Sequence, residues 1–301
     1  MPRKRKGNPV HGWVVLDKPY GLGSTSAVGK VRWLYTAQKA GHAGTLDPLA
    51  TGILPIALGE ATKTVPFMVG AKKGYQFTLT FGENTDTWDT EGEVTQVSDV
   101  RPAKAEILAV LPQFIGDIEQ IPPRYSAIKV EGKRSYDLAR SGEVVKLKSR
   151  QVSVDSFELL EYDGKRATFD VGCGKGTYIR SLARDMAAAL GTCGHVTMLR
   201  RTRVGPFTLE QSFTLDALEK LCHRGGVSGA LRPVETALDD IPVLAITEMQ
   251  AIELKHGRAV TLTSPDICED AETLLAMLDG KAIALCAAQA GFLKPKRVFN
   301  L

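Results

Sequence analysis

An α+β fold with a mixed, largely antiparallel sheet is predicted by three stretches of the sequence. Tyr75, Phe77, Leu79 and Phe81 alternate with Gln76, Thr78 and Thr80, the period of a strand with one buried face. Residues 152–162 and 166–171 read as paired strands joined by Asp163-Gly164, a turn pair suited to an antiparallel hairpin. Gly174-Lys175-Gly176 then opens a helix over 177–190, stopped by Gly191, with Ile179, Leu182, Ala183, Met186 and Leu190 on its buried stripe.

The remaining elements follow in order. Residues 13–16 read as a first strand, and Asp17-Lys18-Pro19-Tyr20-Gly21 as a turn. Ser24, Thr25 and Ser26 supply caps for a helix with Ala27, Val28, Val31 and Leu34 at helical spacing. A glycine-bracketed loop leads to a buried strand over 53–58. Residues 103–111 fit a short helix, 124–130 a strand, and Glu131-Gly132-Lys133 the turn after it. Beyond Cys222 the run Arg224-Gly225-Gly226-Val227-Ser228-Gly229, with Pro233 and Pro242, reads as linker-like. Residues 243–301 suit a small β-rich module with one helix over 248–255.

The chain has 301 residues, 44% hydrophobic and 24% charged, enough for one substantial core plus a small second module. Its longest mostly apolar run, 282–293, contains Gln289 and is too short to span a bilayer. Arg3-Lys4-Arg5-Lys6 resembles the start of a signal peptide, but the apolar run after it holds His11 and Gly12 and stops at Asp17, so a cytoplasmic location is expected. Cys173, Cys193, Cys222, Cys268 and Cys286 are an odd, scattered set without C-x-x-C pairs, which argues against disulfides and zinc. Histidines 11, 42, 195, 223 and 256 lack metal-ligand spacing, and no metal is expected. The net charge is only +4, yet residues 124–150 hold eight basic against three acidic side chains, and Arg200, Arg201 and Arg203 cluster. Acids gather at Glu83, Asp86, Asp89, Glu91 and Glu93. Such segregation suits either solvated faces or a polyanion such as RNA.

Three residues stand out chemically, each with two readings. Asp47, flanked by Gly41, Gly44 and Gly52 and stiffened by Pro48, is either a turn carboxylate bonding nearby amides or one presented for reaction. Tyr75 is either a core ring or a stacking surface at the inner edge of a cleft. Arg180, one turn from Arg184 and away from the apolar stripe, calls for an anionic partner, met either by surface salt bridges or by a site. Gly174-Lys175-Gly176 lacks the spacing of a Walker loop.

Taken together, Asp17-Lys18-Pro19-Tyr20-Gly21, Gly41-His42 with Ala43-Gly44-Thr45-Leu46-Asp47-Pro48-Leu49-Ala50-Thr51-Gly52, Tyr75, Tyr125-Ser126-Ala127-Ile128-Lys129, Lys175-Gly176-Thr177-Tyr178-Ile179-Arg180 and Leu199-Arg200-Arg201 closely resemble, in order, the motifs of the TruB family of bacterial tRNA pseudouridine-55 synthases. The match spans most of residues 11–210. Gly23, where the family often has serine or threonine, and Gly174, in place of a frequent serine, depart from it.

The resemblance implies a pseudouridine synthase catalytic domain over 11–230, a basic tail over 1–10, a linker over 231–242, and a short PUA-like RNA-binding domain over 243–301, marked by His256-Gly257 and Lys294-Pro295-Lys296-Arg297-Val298-Phe299. It implies isomerisation of the T-loop uridine of tRNA with no cofactor. Asp47 is then the essential carboxylate, Arg180 its counter-charge, and Tyr75 the ring that stacks on the base. His42 fills the space left by the everted base. Lys18, Lys129, Arg200 and Arg201 are candidates for phosphate contacts, Leu199 lines the pocket, and Tyr178 belongs to the substrate-binding set. A monomer acting on the tRNA T-arm, without guide RNA or membrane, is expected. Two alternatives stand beside it: an RNA chaperone or binding module using the same basic surfaces, and a guide-RNA-dependent synthase of the dyskerin type. The Leu49-Ala50-Thr51 version of the loop and the short C-terminal module favour the stand-alone form.

Overall fold

The computed structural model describes residues 7–126, 129–130, 133–134, 147–262 and 271–301. Its frame is a ten-stranded sheet. The strands run β1 (Gly12–Lys18), β2 (Ala40–His42), β3 (Thr51–Leu58) and β4 (Lys73–Phe81), then a small hairpin of β5 (Glu83–Thr85) and β6 (Val94–Val97). They continue with β7 (Gly116–Gln120), a hairpin of β8 (Lys129–Val130) and β9 (Lys133–Arg134), β10 (Arg150–Tyr162), β11 (Arg166–Cys173), β12 (Gly194–Val204), β13 (Phe207–Thr208) and β14 (Leu231–Arg232). The order across the main sheet is β14-β1-β3-β12-β4-β11-β10-β7, with β2 on β3 and β13 on β12.

Every neighbouring pair in that sheet is antiparallel except β3 with β12. The parallel contact sets Thr51 opposite Arg200 and Gly52 opposite Arg201. Gly52 has φ +97°, and a Cβ there would lie 2.2 Å from the Arg201 carbonyl oxygen, so this crossing admits no other residue without displacement.

Helices α1 (Ser24–Leu34), α2 (Val65–Gly70), α3 (Lys104–Val110), α4 (Ile179–Ala189), α5 (Leu215–His223) and α6 (Glu248–Lys255) cover the strands. None is long and apolar enough to cross a membrane among the described residues. Under α4, the buried Leu182, Ala183 and Met186 share a core with Phe77, Phe157 and Phe169, whose rings sit 5.2–5.9 Å apart. The C-terminal module is a five-stranded sheet, β15 (Val243–Ala245), β16 (Val260–Thr261), β17 (Leu274–Leu278), β18 (Lys281–Gln289) and β19 (Phe292–Val298), with α6 against it.

Four expectations need correcting. Ser24 does not cap α1; Gly23 holds the cap position, and Ser24 reaches instead to the Asp47 loop. Residues 124–130 are not one strand, since Arg124 to Ser126 bend and only Lys129–Val130 pairs, with residues 127–128 and most of the predicted turn, 131–132, outside the described residues. The 177–190 helix starts at Ile179, because Tyr178 is extended and both its backbone groups bond the Gln120 amide. Residues 231–242 are not a free linker. Leu231–Arg232 pairs with β1, and Val234, Ala237 and Leu238 are buried in a core shared by Trp13 and Phe207 with Leu275, Ala282, Leu285 and Phe299 of the C-terminal module.

Candidate active site

The loop between β2 and β3 carries Asp47 to the edge of the sheet. Ser24 Oγ donates to the Leu46 carbonyl at 2.8 Å and accepts its N–H at 2.9 Å, pinning the residue just before the carboxylate. The Ala50 N–H closes a turn onto the Asp47 carbonyl at 3.1 Å. Asp47 is thereby presented, with 40% of its side chain exposed.

Beneath the loop lie two buried cations. Lys18 is fully buried, and its ammonium donates to the carbonyls of Pro19, Leu22 and Pro48 at 3.0, 2.7 and 3.1 Å, using all three of its protons. Burial lowers its pKa from 10.5 to about 8, with Asp47 pulling it up and Arg201 pushing it further down. Arg201, 1% exposed, donates to the carbonyls of Ile53, Thr45 and Gly44 at 2.7, 3.4 and 3.2 Å. Neither reaches solvent, which corrects both as phosphate contacts: they hold the loop's backbone. Arg200 is tied by a two-pronged ion pair to Asp17 at 2.7 and 3.1 Å, so its guanidinium is committed to joining β12 to β1.

The helix side supplies the other half. Arg180 is 5% exposed, which excludes a surface salt bridge as the way its charge is met. Its guanidinium lies 2.9 Å from Asp47 Oδ2 and 3.2 Å from Asp89 Oδ2, and donates to the Thr87 and Tyr125 carbonyls at 2.9 and 2.8 Å. One cation thus joins two carboxylates of unequal character. Asp89, 12% exposed, also accepts from Thr87 Oγ1 at 2.5 Å and from the Glu91 N–H at 3.0 Å, whereas Asp47 faces the cleft. Arg184, one turn along, lies over the Trp88 ring at 4.1 Å, packing the same loop.

Asp47, Asp89, Arg180, Ala50, Val196 and Leu199 line one narrow cleft between loop, helix and β12. Tyr75, 8% exposed and facing Arg201 across β4 and β12, sits in the core beneath. Burial pushes its phenol up from 10.0, with Arg201 opposing, so the ring remains a neutral phenol around neutral pH. His42, half-buried, ends β2 where the chain leaves the sheet for the loop. Tyr178 precedes α4 with the Arg150 guanidinium 4.9 Å from its ring centre. Lys129 begins β8, and its side chain lies outside the described residues.

Sequence reasoning missed Asp89, which it noted only as one of the acids gathered at Glu83, Asp86, Asp89, Glu91 and Glu93. The signal lay in Thr85, Asp86, Thr87, Asp89 and Thr90: alternating hydroxyls and carboxylates able to knit a loop together.

Against known proteins, a family model described as the N-terminal domain of TruB family pseudouridylate synthases matches residues 32–179, and one for the tRNA pseudouridylate synthase B C-terminal domain matches 180–239. The class is therefore that of the pseudouridylate synthases, which are isomerases. A tRNA pseudouridine synthase B of Caulobacter sp. (strain K31) is 53% identical over 309 residues and covers 100% of both chains. One from Bradyrhizobium diazoefficiens is 55% identical over 304 residues, 99% of this chain and 88% of the relative. The chain belongs to the TruB family. Among solved structures, a chain from a Cbf5-Nop10-Gar1 complex is 29% identical with TM-score 0.74, over 95% of this chain and 84% of the other. One from an H/ACA RNP bound to a substrate RNA containing 2'-deoxyuridine is 26% identical with TM-score 0.76, over 100% and 92%.

Proposed function

We propose that this chain converts the T-loop uridine of tRNA, at position 55, to pseudouridine, with Asp47 as the reacting carboxylate. The observation that carries this reading is the Asp47–Arg180–Asp89 cluster at one cleft: a buried cation orients a carboxylate that still faces outward. In the reaction the bond from ribose C1′ to uracil N1 breaks and one to C5 forms, while C5 loses a proton and N1 gains one. Composition is unchanged, so no cofactor is called for. The two donors of Arg180 toward the carboxylates hold Asp47 in place and aimed, a preorganised arrangement that needs no rearrangement as charge develops.

The uridine must leave its loop to reach Asp47, at a cost of a few kcal/mol. His42, at the root of the Asp47 loop, takes the vacated space; Leu199 forms the cleft wall; Tyr178 stands at the start of α4. Tyr75 supplies an aromatic face toward the base, and its raised pKa argues for stacking rather than proton removal. The tRNA substrate is supported by the relatives' names, and stand-alone action by identity above 50% to them against 26–29% to chains from a Cbf5-Nop10-Gar1 complex and an H/ACA RNP. A cytoplasmic monomer using the C-terminal module as a PUA-like RNA contact completes the reading.

The test is Asp47→Asn against a bare tRNA transcript. Pseudouridine formation should fall at least about a thousandfold with tRNA affinity and melting temperature retained. Product from the variant at the wild-type rate would remove Asp47 from its role, and turnover only with added guide RNA would remove the stand-alone assignment.

A further inference from the structure

Most aromatic rings here serve the core, but Tyr20 is 64% exposed and still lines the cleft that holds Asp47. An exposed ring contributes little to folding, since the apolar gain comes from area removed from water. Its backbone is nonetheless tightly held. The Pro48 carbonyl, next to Asp47 in the chain, accepts both from the Gly21 N–H at 2.9 Å and from Lys18 Nζ at 3.1 Å, and Lys18 also grips the carbonyls of Pro19 and Leu22. One carbonyl therefore couples the turn bearing Tyr20 to the loop bearing Asp47. Across the cleft Met198, 38% exposed, offers a second apolar surface at the mouth.

We propose that Tyr20 is a base-stacking residue for the substrate RNA, taking the nucleobase adjacent to the everted uridine at the mouth of the cleft. Everting one base strips its neighbour of a stacking partner, and an outward aromatic face fixed relative to the reacting carboxylate replaces it. The stack is indifferent to base identity, because every base has a π-face. Tyr20 thus sets how the RNA is gripped and leaves the chemistry to Asp47. This rests on the RNA-uridine reading above.

The experiment uses the full chain and a T-arm stem-loop. With Tyr20→Ala, Kd and KM should rise about tenfold while kcat at saturating RNA stays within about twofold, and Tyr20→Phe and Tyr20→Trp should restore wild-type values. In RNAs carrying 2-aminopurine beside the target, wild type should quench the probe on binding more than Tyr20→Ala does. Unchanged KM and quenching in Tyr20→Ala, or Tyr20→Leu performing as well as Tyr20→Phe, would overturn the proposal, the second showing mere apolar cover. A fall in kcat alone would also overturn it, marking Tyr20 as a loop support. If wild type makes no pseudouridine in this RNA, both readings fail; if wild type is active, only the stacking assignment is at stake.

Discussion

Arg180 and Arg201 are both buried guanidiniums, 5% and 1% exposed, one at the start of α4 and the other on β12, and they face different partners. Arg201 spends its donors on the backbone carbonyls of Ile53, Thr45 and Gly44. Arg180 divides its donors between two carbonyls and two carboxylates, one of which stays open to the cleft. Burial alone therefore does not separate chemistry from scaffolding. The acceptor does: a carbonyl is neutral and fixed, so a cation on it shapes the chain, while a cation on a half-exposed carboxylate governs a reactive charge.

The sharpest way to break this contrast is to change each cation. Arg180→Lys keeps the charge but loses the planar fork that spans both carboxylates, and kcat should fall about a hundredfold or more in single-turnover assays, with a smaller loss of stability than Arg201→Met shows. Arg201→Met leaves three carbonyls without their donor, and urea unfolding should register a loss of about 3 kcal/mol, while the folded fraction keeps most of its activity. The reverse pattern, with Arg201 governing rate and Arg180 only stability, would dissolve the distinction.

Lys18 gives the smallest and most graded effect. Its folded pKa of about 8 lies below 10.5, so between those values the unfolded chain holds more protons and the Lys18 contribution to stability rises with pH. The cost of burying its charge is fully present below pH 8 and is relieved as pH climbs toward 10.5. Unfolding free energies of wild type and Lys18→Met, compared at neutral pH and near pH 10, should diverge in favour of wild type at the higher pH. A difference that does not change with pH, or that shifts in favour of Lys18→Met at the higher pH, would place Lys18 outside the buried setting seen beneath the loop.

Much of the frame was legible because it depends on local periodicity. The alternation at Tyr75, Phe77, Leu79 and Phe81 became β4, the Asp163-Gly164 turn became the hairpin of β10 and β11, and the apolar stripe of α4 is buried. Errors fell where long-range contacts override local preference. Ser24 has the chemistry of a cap, but the Leu46 backbone across the fold competes for its hydroxyl. Glycine-rich texture suggested a free linker, yet Leu231–Arg232 found an unpaired edge of β1 and joined it. Basic residues in the matched motifs suggested phosphate contacts, but Lys18 and Arg201 are spent inside.

By itself the amino-acid sequence determined the strands and helices with clear periodicity, such as β4, the β10–β11 hairpin and the apolar stripe of α4, the presence of one carboxylate in a glycine-bracketed loop, and the family to which those motifs point. Only the tertiary structure decided which cation meets which anion: it brought Asp47, Asp89 and Arg180 together from three separate segments, and it turned Lys18 and Arg201 inward onto carbonyls. The reason is physical. Periodicity reports which face of an element is apolar, whereas the partner of a buried charge depends on which distant backbone and side chains fill the same few ångströms.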